Sequence, residues 1–325
     1  MSGVTPNRHE QFERDGYVVV RGLLDQKLDL DAIIVEYNGI LDRLAAAWKR
    51  EGRLKSTYSN LHLFERLVRI ISEAEVSYDL HFDISLPQEN ITEETPMHHG
   101  EAVFNLLRCP RLLDVVEEFV GPEIYCNPVQ HTRIKPPERR LPDASRTGLT
   151  GEVAWHQDLG VVTDDADETE TLTVWTSLTR ATLENGCLVV LPGSHDDGLA
   201  LHCRSPHAAT LNQVAIPDKL IDRERVPLPM EPGDVLFMHR KTKHSGIPNL
   251  SDELRWSFDL RYHAIGMPTG RVWFPGFVAR SRAHPESELR DADEWARMWR
   301  VARSSLASGD TPTFNRWKAG HPGCA

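Results

Sequence analysis

Nowhere in the chain do about 18 apolar residues run together, so no segment reads as a membrane-spanning helix. Met1 to Asp15, MSGVTPNRHEQFERD, lacks the apolar stretch of a secretory leader. The expectation is a cytoplasmic protein with no membrane partner. Cysteine is scarce as well. The five cysteines, Cys109, Cys126, Cys187, Cys203 and Cys324, are odd in number, scattered and never in C-x-x-C spacing. That argues against a disulfide framework or a zinc knuckle and predicts reduced, mostly buried thiols. Positive charge is in short supply: 37 Lys and Arg face 48 Asp and Glu, a formal charge of -11. Such a surface repels phosphate backbones, so nucleic acid is not an expected partner. With 40% apolar and 26% charged residues, the chain has the composition of an ordinary globular protein, not a disordered or collagen-like one.

Apolar residues recur at intervals of three and four around Leu28 to Trp48, Leu61 to Ile71 and Leu106 to Val120, which makes residues 6–120 mainly helical. One exception is Gly16 to Leu24, GYVVVRGLL, whose β-branched run predicts a strand. From Ile124 the texture changes to short β-branched or aromatic runs divided by Pro, Gly, Asn and Asp: Ile124 to Ile134, Val153 to Gln157, Thr171 to Leu178, Cys187 to Leu191, Asp234 to His239 and Leu254 to His263. This is the pattern of an all-β sandwich or barrel. Asn185-Gly186 reads as a hairpin turn, and Pro192-Gly193-Ser194 as the turn that closes the next one. Helical spacing returns in Glu286 to Leu306, predicting a terminal helix that packs back on the barrel. No repeat or long linker interrupts the chain, so it reads as a single domain over 1–325, with a β core at 124–265 and a C-terminal extension at 266–325. Between two predicted strands, Lys135 to Gly151 reads as a mobile basic loop.

In AWHQDLG, His156 and Asp158 stand two apart on a predicted strand, and the period of two turns both side chains to one face. Further on, KTKHSGIPN sets His244 in a turn after the strand Asp234 to His239. Two histidines and one carboxylate can occupy half of an octahedral iron(II) and leave three positions open. His239, which also ends a strand, competes with His244. Eleven residues after His244 comes Arg255, with Ser257 on the same face of its strand; a guanidinium fork and a hydroxyl suit a remote carboxylate. His195 reads as a turn histidine, and His98, His99, His202, His207 and His263 stay ambiguous.

These motifs resemble the phytanoyl-CoA dioxygenase family of iron(II)- and 2-oxoglutarate-dependent oxygenases. The resemblance covers most of the chain: FERDGYVVVRGLL (Phe12 to Leu24), QHTRIKPP (Gln130 to Pro137), WHQDLG (Trp155 to Gly160), Leu172 to Gly198 and Pro232 to Tyr262. It implies a mainly β fold with helical flanks, a double-stranded β-helix or cupin-like jelly roll. It also implies iron held by His156, Asp158 and His244, with Arg255 anchoring the distal carboxylate of 2-oxoglutarate. Trp175 matches a further co-substrate position; Arg133, Thr132 and Gln130 compete for another. Where the family often has a hydroxyl two residues after the second histidine, this chain has Gly246. The implied reaction uses dioxygen, releases succinate and carbon dioxide, and oxidises a small-molecule substrate. Because Asp158 is present, where halogenating relatives have alanine or glycine, hydroxylation is the expected outcome, with desaturation or cyclisation as alternatives. The rivals are a non-redox cupin-like metalloenzyme and a silent metabolite-binding barrel. Substrate-facing segments are expected at 85–104, 135–151, 161–170 and 199–212; no substrate or oligomeric state is legible.

Overall fold

The computed structural model describes residues 7–74, 78–141, 151–204, 214–309, 312–314, 316–317 and 320–324. Its helices are α1 (Arg8–Asp15), α2 (Asp31–Arg50), α3 (Leu63–Ala74), α4 (Glu101–Leu107), α5 (Pro110–Val120) and α6 (Ala292–Ser308). Its strands are β1 (Tyr17–Val20), β2 (Glu123–Cys126), β3 (His131–Lys135), β4 (Val153–His156), β5 (Leu172–Ser177), β6 (Leu188–Val190), β7 (Cys203–Arg204), β8 (Val214–Ala215), β9 (Val226–Leu228), β10 (Val235–His239), β11 (His244–Gly246), β12 (Arg255–Ala264) and β13 (Phe277–Ser281). No described helix is long and apolar enough to cross a membrane.

Two antiparallel sheets make a jelly roll. The larger runs β1-β10-β5-β12-β2-β13, with β3 also paired to β12; the smaller runs β4-β11-β6-β9. β12 organises the larger sheet because its residues alternate in character. Trp256, Phe258, Leu260 and Tyr262 lie in the main hydrophobic core. Trp256 meets Tyr37 of α2 with ring centroids 4.9 Å apart, and Phe64 of α3 at 6.0 Å. Arg255, Ser257, Asp259, Arg261 and His263 take the other face, as the period of two requires. The sheet thus seals one face with helices and keeps a polar face for the inside of the sandwich.

Several sequence expectations change in detail. The helix over Leu106 to Val120 is two: α4 stops at Leu107, and Pro110 opens α5 at the first position, where its missing N–H costs no helical bond. The strand over Ile124 to Ile134 is also two, interrupted at Asn127-Pro128, and both pieces pair with β12. Asn185-Gly186 is not a hairpin: β5 lies in the large sheet and β6 in the small one, so this turn carries the chain across the sandwich. Pro192 to Ser194 likewise leads out of β6, whose partners are β11 and β9. His244 does not sit in a turn but begins β11. The terminal helix begins at Ala292, where Asp291 accepts from Asp293 N and Glu294 N, and it buries Trp295 and Trp299.

The cysteine expectation is overturned for one pair. Cys203 and Cys324 form a disulfide with Cα atoms 5.5 Å apart, while Cys109, Cys126 and Cys187 are buried free thiols. The partners are 121 residues apart, so no local spacing announces them. The bond ties the chain end beside the small sheet. Ile216, just after β8, donates to Trp155 O of β4 at 2.7 Å, and β8 pairs with Cys203's strand.

Candidate metal centre

β4 and β11 are neighbours, and His244 stands opposite His156 in register. Their ring centroids are 4.2 Å apart. β4 ends at His156, so Asp158 is off the strand and opens a short 3-10 turn. Gln157 nevertheless remains extended (φ −118°, ψ 141°), which returns Asp158 to the face of His156. One ligand atom from each of His156, Asp158 and His244 lies within 4.8 Å of the others, and all three residues are buried; no other such trio occurs among the described residues.

Local bonds orient each member. His156 Nδ1 donates to Ala154 O at 2.8 Å and His244 Nδ1 to Thr242 O at 3.0 Å, leaving both Nε2 lone pairs for the centre. Burial holds His156 down to about 3, with His244 acting in the same direction, so at neutral pH the imidazole is uncharged and able to ligate. Burial alone would raise Asp158. Although burial is the largest single effect, Arg261, His244, His156 and Thr173 together outweigh it, and the carboxyl is held well below its ordinary range. An uncharged imidazole at His156, a second imidazole at His244 and an ionised carboxylate fit a divalent iron with half its octahedron free.

The cleft over this trio is lined by Arg133, Trp175, Gly246, Arg255, Asp259 and Arg261, among others. Arg255 is 1% exposed. Its Nε donates to Gly186 O at 3.2 Å and its Nη1 to Ser257 Oγ, and its guanidinium lies 5.7 Å from the centroid of the Trp175 ring. Nη2 has no hydrogen-bond partner among the described residues, nor does the buried Nε1 of Trp175. Burial, reinforced by Arg133, lowers Arg255 to about 10, so the guanidinium is charged at neutral pH.

A residue that the sequence reading passed over joins it. Lys135, the first residue of the expected basic loop, is the last residue of β3 and pairs with Arg255 in register. Fully buried, its Nζ donates to Gly246 O at 2.9 Å and Ile247 O at 2.6 Å. A Cβ on Gly246 would stand 3.2 Å from that Nζ, so the glycine makes room for the lysine head group. Neither Arg255 nor Lys135 has an ion-pair partner among the described residues. Strand parity could have found Lys135, since it lies two residues beyond Arg133.

The remaining candidates separate. Arg133 lines the cleft, its Nε donating to Asp259 Oδ2. Ser257 reaches the cleft only through Arg255. Thr132 and Gln130 do not line it. Thr132 faces the opposite side of β3, bonded to Tyr37 Oη at 3.1 Å, while Gln130 lies before the strand and binds the backbone of Arg261. His239 points elsewhere: its Nδ1 accepts from Lys241 N, and its ring lies 5.1 Å from that of His195. His98 pairs with Glu36 at 2.7 Å, His99 stacks on Trp299, and His202 Nε2 accepts from Gln157 N at 3.0 Å. His263 binds Ala264 O. His207 and residues 142–150 of the basic loop lie outside the described residues.

Comparison with known proteins agrees with this architecture. Residues 12–257 match the family model for phytanoyl-CoA dioxygenase. The human peroxisomal phytanoyl-CoA dioxygenase is 30% identical over 170 residues, which is 52% of this chain and 48% of that protein. The chain thus spans about half the length of the first curated relatives it matches. The bovine phytanoyl-CoA dioxygenase domain-containing protein 1 is 23% identical over 292 residues, 85% of this chain and 94% of that one. Among solved structures, the ligand-free non-heme monooxygenase ThoJ superposes with a TM-score of 0.52 at 20% identity, covering 91% of this chain and 96% of that one, a likeness of fold. With the model match extending from α1 to the inner face of β12, the chain belongs to the phytanoyl-CoA dioxygenase family.

Proposed function

We propose that this chain is, as a single oxygenase domain, an iron(II)- and 2-oxoglutarate-dependent dioxygenase that hydroxylates a small organic molecule, with release of succinate and carbon dioxide. The observation that carries the reading is a pairing within one cleft. A His156–Asp158–His244 trio with metal-ligand spacing shares it with a buried guanidinium that has no ion pair among the described residues. Burying a cation without a partner is costly, and an incoming carboxylate relieves that cost.

His156, Asp158 and His244 would hold the iron, and Arg255 the distal carboxylate of 2-oxoglutarate, with Lys135 behind it acting through its charge. Iron, 2-oxoglutarate and dioxygen together supply the oxidising power for a C–H bond. The protein's part is orientation and exclusion of water. Arg255 Nη2 and Trp175 Nε1 offer unspent donors, and Ser257 fixes the plane of the guanidinium, so the fork is set before the ligand arrives. The carboxylate of Asp158 favours hydroxylation over halogenation.

The test is succinate release from 2-oxoglutarate in air by the iron-loaded chain, screened against a broad metabolite panel. The expected result is release stimulated by one compound class and lost in His156→Ala. Product mass separates hydroxylation, a gain of one oxygen, from desaturation or cyclisation, a loss of two hydrogens. Metal binding with no 2-oxoglutarate consumption, either basal or stimulated, would overturn the proposal in favour of a non-redox metalloenzyme.

A further inference from the structure

The two histidines of the trio are each braced by the backbone carbonyl two residues earlier, but Asp158 is held from across the sandwich. Thr173 of β5 and Arg261 of β12 are register partners in the large sheet. One rung therefore presents a hydroxyl and a guanidinium side by side. Thr173 Oγ1 donates to Asp158 Oδ2, and Arg261 Nη2 donates to Asp158 Oδ1 at 2.5 Å. Both carboxylate oxygens are engaged.

Arg261 is itself fixed. Its Nη1 donates to Val129 O at 3.0 Å and its backbone N to Gln130 Oε1 at 3.1 Å. Its carbonyl accepts from Asn127 N and from Gln130 Nε2, each at 3.0 Å. The interruption between β2 and β3 therefore has a use: Asn127 to Gln130 wrap the residue that grips Asp158. Gln130, a residue read from sequence as a co-substrate contact, braces Arg261.

We propose that Arg261, together with Thr173, is a positioning residue for the metal's carboxylate. The rung holds Asp158 so that it reaches the metal through one oxygen and leaves the other positions open for co-substrate and dioxygen. This rests on the reading of His156, Asp158 and His244 as metal ligands. A carboxylate freed from the rung can close on a metal with both oxygens, since such ligands bind in either mode, and one open position would be lost. Thr173 and Arg261 act only through Asp158.

The experiment uses the whole chain with Mn(II) or Co(II). Calorimetry gives the affinity, the visible spectrum of the Co(II) form gives the coordination, and circular dichroism checks the fold. Arg261→Ala is expected to weaken metal binding about 10- to 100-fold, the usual effect of losing a group that orients a ligand, and to change the Co(II) spectrum. Arg261→Lys restores part of the loss. Thr173→Val, which keeps the volume, gives a smaller loss and carries the test if Arg261→Ala does not fold. In Asp158→Gly, added formate is expected to restore metal binding, because the rung still offers its donors; in the Asp158→Gly/Arg261→Ala double variant it is not. Unchanged or tighter metal binding with an unchanged spectrum in Arg261→Ala, or equal formate rescue with and without Arg261, overturns the proposal. A wild-type chain that binds neither metal removes the trio reading itself, a different failure from a wild type that binds and an Arg261→Ala that binds as well.

Discussion

Replacing Arg255 by alanine tests the co-substrate assignment most directly. The guanidinium is buried, two of its donors are spent on Gly186 O and Ser257 Oγ, and no carboxylate pairs with it among the described residues. A ligand carboxylate meeting it makes a charge-assisted contact with a cation that is already buried and oriented. Truncating one partner of such a buried pair costs about 2–5 kcal/mol, which at about 1.4 kcal/mol per decade is roughly 30-fold to several thousand-fold in affinity. Calorimetry of 2-oxoglutarate binding to the Mn(II)-loaded chain measures this without a substrate. Arg255→Lys keeps the charge but loses the fork, and is expected to fall between wild type and Arg255→Ala. The pH dependence follows in sign. Binding needs the protonated forms, so it weakens as pH rises through the pKa of each cation. Burial, aided by Arg255 and Arg133, pushes Lys135 well below the lysine range, so Lys135 is lost first. Arg255 follows at about 10. Lys135→Met should remove the earlier limb and keep the later one. An Arg255→Ala chain that binds 2-oxoglutarate within about threefold of wild type would refute the reasoning, because no buried pair of this kind is worth so little.

Four further outcomes are expected. His156→Ala, Asp158→Ala and His244→Ala should each abolish Mn(II) binding by calorimetry and succinate release, whereas His239→Ala should keep both, since its ring lies against His195. Under denaturing, non-reducing conditions iodoacetamide should label Cys109, Cys126 and Cys187 only, with all five cysteines labelled after reduction; five labels without reduction would remove the Cys203–Cys324 bond. Because that bond spans 121 residues, Cys324→Ser should lower stability by up to about 4–5 kcal/mol in the chain-entropy account, read by denaturant titration. Gly160→Ala would place a Cβ 2.3 Å from the His202 ring. Overpacking of that kind costs about 1–3 kcal/mol, and a melting temperature equal to wild type would contradict the packing of His202 against the segment that carries Asp158.

The trio was legible because each part depends on local geometry. Extended backbone alternates its side chains, so H-x-D delivers both groups to one face even though the strand stops at His156. What lay beyond local pattern was lost. Thr132 competes with Arg133 for the same family position, yet on one strand the two must face opposite ways; parity alone sends Thr132 toward Tyr37. Lys135 opens a segment rich in proline, arginine and glycine that reads as loop, and only the register with Arg255 reveals its burial. The disulfide and the Thr173–Arg261 rung join residues far apart in sequence, and such contacts leave no periodic trace in either partner.

β12 shows why spacing matters more than residue type here. Arg255 and Arg261 are six residues apart, an even number, so they share the inner face at about 20 Å along an extended strand. In the proposed reading one would serve the co-substrate end of the cleft and the other the metal's carboxylate. Between them, Trp256, Phe258 and Leu260 anchor the same strand in the core, so neither guanidinium can shift without moving the packing behind it. A slip of one residue would send both arginines into that core and its aromatic side chains into the cleft. The register of β12 with β5, Ser257 against Ser177 through Tyr262 against Leu172, is therefore the structural fact on which anchor and carboxylate grip jointly depend. It is enforced by burial on one face and by charge pairing with Asp158 on the other.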